Sequence, residues 1–203
     1  MLVFPFKLKF MTYDKTQISD LIKNRRSVFP KNYSGERVSD EVINEMLENA
    51  NWAPTHKMTE PWRFSVFCEE GIAAFANFQA ELYIKSAGKK SDENKIKKLK
   101  SKPLMCSHII SIGLKRNKSI PKMEEIAAVA AAVQNMHLTA TAHGVGCYWS
   151  TGGVTYEKDA NSFFDLGEKD LLMGFLYIGM PKSGKWPIGK RKSIDKKVKW
   201  VRK

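Results

Sequence analysis

The chain has 203 residues, of which 43% are hydrophobic, so it is long enough to bury the core of one domain. No apolar run approaches the roughly 18 residues of a membrane span, and the N-terminus lacks the apolar centre of a signal peptide. We therefore expect a cytoplasmic protein with no membrane partner. One domain should occupy residues 13–203, after an N-terminal arm at residues 1–12.

Basic residues outnumber acidic ones by 34 − 21 = 13, and much of the excess lies at residues 85–102 and 182–203. Such charge fits a solvated basic surface, the steering of anionic cofactors or substrates, or nucleic-acid binding. Nucleic-acid binding is the least favoured of the three, because no helix-turn-helix, zinc-finger or aromatic single-strand platform accompanies the lysines.

The three cysteines, Cys68, Cys106 and Cys147, are widely spaced and include no C-x-x-C pair. An odd number without paired spacing indicates neither a disulfide framework nor a zinc site. Cys106 and His108 would share one face of a strand, but two ligands do not define a metal site. We expect no metal centre.

A first amphipathic helix is predicted over residues 16–25, with Thr16 able to cap it. Arg25, Arg26 and Ser27 follow at its end. Their guanidinium groups can bind a phosphate through paired hydrogen bonds, and the hydroxyl can donate another. The alternative is that the two arginines only complement the negative end of the helix dipole.

A second helix is predicted to begin near Ser39, since apolar residues recur at helical spacing from Val42 to Ala50. Pro54 ends it, because proline disfavours helical geometry at the preceding residue. His56 therefore lies on a loop at a helix end. It either contacts a ligand or bonds the local backbone.

The rest of the chain alternates between buried strands and helices. Short apolar runs predict strands at 64–68 and 108–114, a strand from Gly146 into a glycine turn, and a last strand at 172–180. A long alanine-rich helix is expected over residues 124–143. The lysine-rich residues 85–103 fit either a mobile lid at the rim of a pocket or a solvated helix with loop ends.

Four pieces, in this order, resemble the nitroreductase family of FMN enzymes, most closely its minimal branch. They are Arg25-Arg26-Ser27, Ala53-Pro54-Thr55-His56 with Pro61-Trp62-Arg63-Phe64, the helix Ala127 to Gly144 with Gly146-Cys147-Tyr148-Trp149-Ser150, and Gly174 to Pro181. The resemblance implies an α+β fold of three layers, α/β/α, with a central, mostly antiparallel sheet flanked by helices. It also implies a homodimer with FMN at the interface.

The resemblance further implies which residues hold the flavin. Arg25, Arg26 and Ser27 would contact its phosphate and ribityl chain, while His56 and Trp52 would contact it from the first loop. Other contacts are implied for a second stretch and for basic residues near the C-terminus. These are Trp149, Ser150, Thr151, Gly152, Lys190 and Arg191.

The implied activity is that of an FMN-dependent NAD(P)H oxidoreductase acting by ping-pong hydride transfer. NAD(P)H would reduce the flavin, and a small electron-poor acceptor, such as a nitroaromatic or a quinone, would then be reduced. No catalytic side chain is expected, because the flavin N5 carries the hydride. Two alternatives stay open: a flavin-binding or redox-sensing protein with little turnover, and a basic nucleic-acid-binding protein without flavin.

Overall fold

The computed structural model describes residues 13–202, so the predicted arm at residues 1–12 lies outside the described part. Five α-helices run along this part of the chain: α1 Lys15–Asn24, α2 Asp40–Asn51, α3 Glu70–Ala87, α4 Glu93–Ser101 and α5 Lys122–Ala142. Four strands accompany them: β1 Trp62–Cys68, β2 His108–Leu114, β3 Gly146–Ser150 and β4 Leu171–Gly179. Among residues 13–202, no helix combines the length and apolar character needed to cross a lipid bilayer.

The four strands form one antiparallel sheet in the order β1-β2-β4-β3. All seven residues of β2 are buried, because helices cover both faces of the sheet at its centre. β1 begins two residues earlier than predicted, since Trp62 and Arg63 pair with Leu114 and Gly113. The predicted antiparallel sheet is confirmed.

Two hydrophobic clusters, one on each face of the sheet, make the fold three-layered. On one face, α2 and α5 pack on the sheet, with Met46, Met136 and Leu176 in the shared core. On the other face, α3 and a 3-10 helix at Lys158–Phe164 cover the sheet around Phe75. Period-2 burial explains this arrangement, because neighbouring residues of a central strand point to opposite layers. The predicted α/β/α architecture is therefore confirmed.

The start of α1 differs from the prediction. Asp14, and not Thr16, caps the helix, and its carboxylate accepts hydrogen bonds from the amides of Thr16 at 2.8 Å and Gln17 at 3.1 Å. An aspartate before the helix satisfies two of its first free amides, so the helix starts two residues earlier than a Thr16 cap would allow.

The lysine-rich residues 85–103 contain the end of α3 and the whole of α4. Asp92 caps α4 by accepting from the amide of Asn94 at 2.8 Å. Lys102 lies over the rings of Tyr148 and Tyr177, with Nζ 4.8 and 4.3 Å from the ring centroids. These contacts attach the segment to β3 and β4, in agreement with the helical alternative.

A buried ion pair joins the loop after β2 to the start of α5. The fully buried carboxylate of Glu125 pairs with the guanidinium of Arg116, whose side chain is 16% exposed. The same carboxylate accepts a hydrogen bond from the amide of Asn117 at 2.8 Å. The loop after β2 is thereby fixed to the helix that lies at the centre of the fold.

Candidate functional site

Three arginines from distant parts of the sequence converge on one cavity of about 480 Å³ beside α5. Arg25 and Arg26 come from the end of α1, and Arg191 comes from the C-terminal tail. We call this cavity the arginine pocket. Its lining includes Lys23, Arg25, Arg26, Gln134, Gly189 and Arg191.

The arginine pocket holds positive charge without a counter-ion. Among the described residues, no carboxylate lies within 4 Å of Arg25, Arg26 or Arg191. Burial, and then the charges of Arg191 and Arg26, lower the pKa of Arg25. The Nε of Arg26 is buried and has no hydrogen-bond partner. Like charges gathered in a partly buried pocket favour the binding of an anion that offers several acceptor oxygens.

Hydrogen bonds to backbone carbonyls hold the arginines in place. Val28 donates to the carbonyl of Cys147 on β3 at 2.9 Å, which fixes the chain just after the arginine pair. Trp186 Nε1 donates to the carbonyl of Asn24 at 3.0 Å and ties the C-terminal tail to the end of α1. Arg26 Nη1 donates to the carbonyls of Lys23 at 2.5 Å and Arg25 at 2.7 Å. These last acceptors are orphan carbonyls at a helix C-terminus.

His56 lines a second cavity, of about 380 Å³, between the loop after α2 and the side of α5. Its Nδ1 lies 3.3 Å from the carboxylate of Glu124 on α5, so its partner is not the local backbone. Thr55 Oγ1 accepts from the amide of Glu60 at 3.2 Å and closes the loop. Lys57 and Met58, within this loop, have φ of +50° and +49°, which is unfavourable for residues with side chains.

Trp149 and Thr151 line a third cavity, of about 580 Å³, at the end of β3. Trp149 Nε1 donates to the carbonyl of Met173 at 3.0 Å, which leaves its ring fixed beside the cavity. Gly174 allows this approach: its φ is +114°, and a Cβ there would lie 2.4 Å from the carbonyl oxygen of Ser150. The lining combines apolar side chains with charged ones: Ile126, Trp149, Leu171, Leu172 and Met173 on the one hand, and Lys122, Glu157, Glu168 and Asp170 on the other.

The arginine and histidine cavities lie along one side of α5. Glu124, which contacts His56, and Gln134, which lines the arginine pocket, are separated by about 15 Å along the helix axis. Within the single chain, His56 and the arginines therefore face separate cavities. Among the described residues, no group of three or more His, Cys, Asp or Glu side chains could hold a metal ion.

The model of the nitroreductase family matches residues 22–180 of the chain. This protein belongs to the nitroreductase family. The Bacillus subtilis protein YfhC, which carries the name of an NAD(P)H nitroreductase, is 30% identical over 166 residues, 81% of this chain and 84% of that protein.

Solved structures share the fold of this nitroreductase-family chain. A nitroreductase-like family protein from Bacillus cereus has a TM-score of 0.80 and 28% identity, covering 95% of this chain and 99% of that one. A Desulfovibrio desulfuricans protein solved in complex with FMN has a TM-score of 0.67 and 22% identity, with coverage of 92% and 96%. The resemblance predicted from the four sequence pieces is thus confirmed at the level of family and fold.

The other predicted cofactor residues are not among the residues that line these three cavities. Ser27 is exposed beside the arginine pocket, and the carbonyl of Lys190 accepts from Arg191 Nη1 at 2.9 Å. Ser150 Oγ accepts from the amide of Gly152 at 3.4 Å, in the turn after β3. Trp52 is 79% exposed, and its Nε1 donates to Glu48 at 3.1 Å. Their contacts with a cofactor remain predictions.

Two residues near the arginine pocket were not predicted from the sequence. Gly189 packs directly against Arg26, but a glycine in a basic tail gives no local signal of such a contact. His137 on α5 is buried, and its Nδ1 has no hydrogen-bond partner. Burial, and then the charge of Arg25, lower the pKa of His137 to about 4. In the sequence, the position of His137 in an apolar stretch of the predicted helix is the feature that indicates a buried, neutral side chain.

Acidification should destabilise the folded protein through His137. Its pKa falls from 6.5 to about 4 on folding, so between these values the unfolded chain binds a proton that the folded one excludes. Stability is therefore complete above about pH 6.5 and declines as the pH falls toward 4. We expect the free energy of unfolding to drop by about 2 kcal/mol between pH 7 and pH 5 through this residue.

The His137→Gln variant is the matched test of this dependence. Urea unfolding at several pH values should give a shallower slope for the variant between pH 7 and pH 5, whatever its stability at pH 7. Equal slopes for the two proteins would show that His137 does not titrate across folding.

Proposed function

We propose that this protein is an FMN-dependent oxidoreductase that takes reducing equivalents from NAD(P)H and passes them to a small electron-poor acceptor, such as a nitroaromatic or a quinone. The observation that carries the proposal is the arginine pocket, in which Arg25, Arg26 and Arg191 line one cavity. Two relatives support it. YfhC is named for NAD(P)H, and the Desulfovibrio protein with the same fold was solved with FMN.

The pocket fits the phosphate of FMN. A phosphate group offers several acceptor oxygens and about two negative charges, which match guanidinium donors that lack a carboxylate partner. Ser27, next to the pocket, would donate its hydroxyl to the ribityl chain. When bound, FMN supplies the hydride chemistry, and the chain binds and orients it.

A second copy of the chain would complete the site. Ala127 and Gln134, one heptad apart, are exposed on the same side of α5, and Ala130 and Ala131 between them are half-buried. One of them lines the histidine cavity and the other lines the arginine pocket. If two protomers pack antiparallel through this face, His56 of one would face the arginine pocket of the other. FMN would then lie at the interface of a homodimer.

Exposed apolar side chains on the C-terminal tail support the homodimer. Ile188 and Trp200 are 93% and 78% exposed in the single chain, although both are large and hydrophobic. Packing against a partner would remove this surface from water. We propose that the tail extends over the second protomer after it has passed the arginine pocket.

The cavity beside Trp149 is the proposed place for the electron acceptor. Leu172 and Met173 in its lining suit the flat apolar body of an aromatic acceptor, and Trp149 offers an aromatic face. In a ping-pong reaction the nicotinamide would leave before the acceptor enters, so both would use this side of the site in turn. The side chains need only bind, orient and exclude water, because the redox chemistry belongs to the flavin.

The visible absorption spectrum of the purified protein tests this function first. We expect a yellow protein that releases FMN on denaturation, loses its colour with NADH or NADPH without oxygen, and recovers it when a quinone is added. A yellow protein that neither nicotinamide bleaches would favour a flavin-binding or redox-sensing role. A colourless protein that binds DNA or RNA in a strongly salt-dependent way would favour the nucleic-acid alternative.

A further inference from the structure

We propose that Gly189 is a positioning residue for the phosphate site, because its missing side chain lets the guanidinium of Arg26 lie flat against the C-terminal tail. The inference rests on the proposed function, since it assigns Gly189 a part in holding the FMN phosphate. It concerns a residue that contacts the arginine and not the reacting atoms.

The contact between Gly189 and Arg26 leaves no room for even a methyl group. A Cβ added to Gly189 would lie 2.0 Å from Arg26 Nη2, 2.1 Å from Cζ and 2.3 Å from Nε. Real Cβ atoms do not approach other atoms this closely, so either the guanidinium or the tail would have to move.

Backbone conformation does not require a glycine at this position. The φ of Gly189 is outside the left-handed region in which Gly184 and Gly153, for example, are found. An alanine could adopt the same backbone without strain. The contact with Arg26 is therefore the physical reason for a residue without a side chain.

Arg26 cannot yield without losing its orientation. Its Nη1 donates to the carbonyls of Lys23 and Arg25, and its Nε is buried beneath the tail. A guanidinium pushed away from Gly189 would leave these two acceptors and swing out of the arginine pocket. The pocket would then keep the charge of Arg25 but lose the defined donor geometry of its neighbour.

The tail cannot yield without cost either. Trp186 anchors it to the end of α1, and Arg191 enters the pocket two residues after Gly189. Lifting the tail off Arg26 would move Arg191 away from the site. A side chain at residue 189 would therefore move either the guanidinium of Arg26 or the tail that carries Arg191. Both movements separate Arg26 from Arg191, so Gly189 keeps the two arginines together in the pocket.

The test compares the binding of FMN and riboflavin, which lacks the phosphate, to the wild type and four variants: Gly189→Ala, Arg26→Ala, the double variant and Gly71→Ala. Dissociation constants are measured from the quenching of flavin fluorescence. Gly71→Ala is the matched control, because a Cβ there meets nothing closer than 4.0 Å and its φ is not positive. It should bind both flavins as the wild type does.

We expect Gly189→Ala to bind FMN about tenfold more weakly and riboflavin as tightly as the wild type does. A tenfold change corresponds to the loss of roughly one hydrogen bond to a charged group. In the Arg26→Ala background, Gly189→Ala should have no further effect, because the clash has been removed. This lack of additivity also separates positioning from general damage to the fold.

Three outcomes would overturn the inference. Gly189→Ala could bind FMN as tightly as the wild type, it could weaken riboflavin to the same extent, or it could weaken FMN equally with and without Arg26. Each of these leaves the proposed function standing if the wild type binds FMN. A wild type that binds neither flavin would overturn the proposed function, and the inference with it.

Discussion

Replacing Arg25 with alanine should weaken the binding of FMN by about 30-fold or more, while the binding of riboflavin changes little. Arg25 is half-buried between Arg26 and Arg191, and burial and these charges lower its pKa. A charge-assisted hydrogen-bonded contact in such a site is worth about 2 kcal/mol, and each 1.4 kcal/mol is a factor of ten in affinity. Fluorescence titration with both flavins measures the effect.

Arg37→Ala is the matched control for this loss of one guanidinium. Arg37 pairs with Asp40 and Glu69, away from the arginine pocket, so its removal should leave FMN binding unchanged. If Arg25→Ala and Arg37→Ala bind FMN equally well, the pocket does not hold the phosphate. If Arg25→Ala weakens FMN and riboflavin to the same extent, Arg25 contacts another part of the flavin.

Replacing Glu125 with alanine should lower the free energy of unfolding by about 3 kcal/mol. The substitution leaves the guanidinium of Arg116 unpaired in a mostly buried place, and it also removes the acceptor of the Asn117 amide. Breaking a buried ion pair from one side costs about 3–5 kcal/mol, and the 16% exposure of Arg116 favours the lower end of that range. Urea unfolding at pH 7 measures the change.

Glu124→Ala provides a neighbouring control on the same turn of α5. Glu124 is exposed and pairs with the half-exposed ring of His56, so its removal should change stability by less than about 1 kcal/mol. If both variants lose the same free energy of unfolding, the destabilisation of Glu125→Ala comes from helix propensity or net charge. The buried pair would then contribute nothing of its own.

The buried elements were the parts of the fold that the sequence predicted best. The run at residues 108–114 is mostly apolar and bounded by polar residues, and β2 has those bounds. The predicted helix at residues 124–143 begins two residues late, because α5 starts directly after Pro121. The cap of α1 was wrong because Asp14 and Thr16 both suit a helix start, and local preference does not choose between them.

The 3-10 helix before β4 could not be predicted from local pattern. Phe163 stacks on Phe78 of α3, with ring centroids 3.8 Å apart, and Phe164 packs against Phe175. These contacts join residues far apart in the sequence, so the segment is stabilised by tertiary packing and has no periodicity of its own.

The site was predictable where it depends on residue type and not where it depends on the path of the tail. Arg25 and Arg26 follow a helix in an order that resembles the family, and Arg191, which the resemblance also implied, lines the same cavity. The contact of Gly189 with Arg26 exists only because the tail crosses the end of α1. His56 faces a different cavity of the chain, and sequence order does not reveal on which side of α5 a loop lies.

The dissociation constants of FMN and riboflavin for the unaltered protein test the central claim most directly, namely that three converging arginines bind the phosphate of a flavin. A phosphate held by this pocket should contribute about 3 kcal/mol, so we predict that FMN binds roughly 100-fold more tightly than riboflavin. Equal affinities, or no binding of either flavin, would contradict the claim.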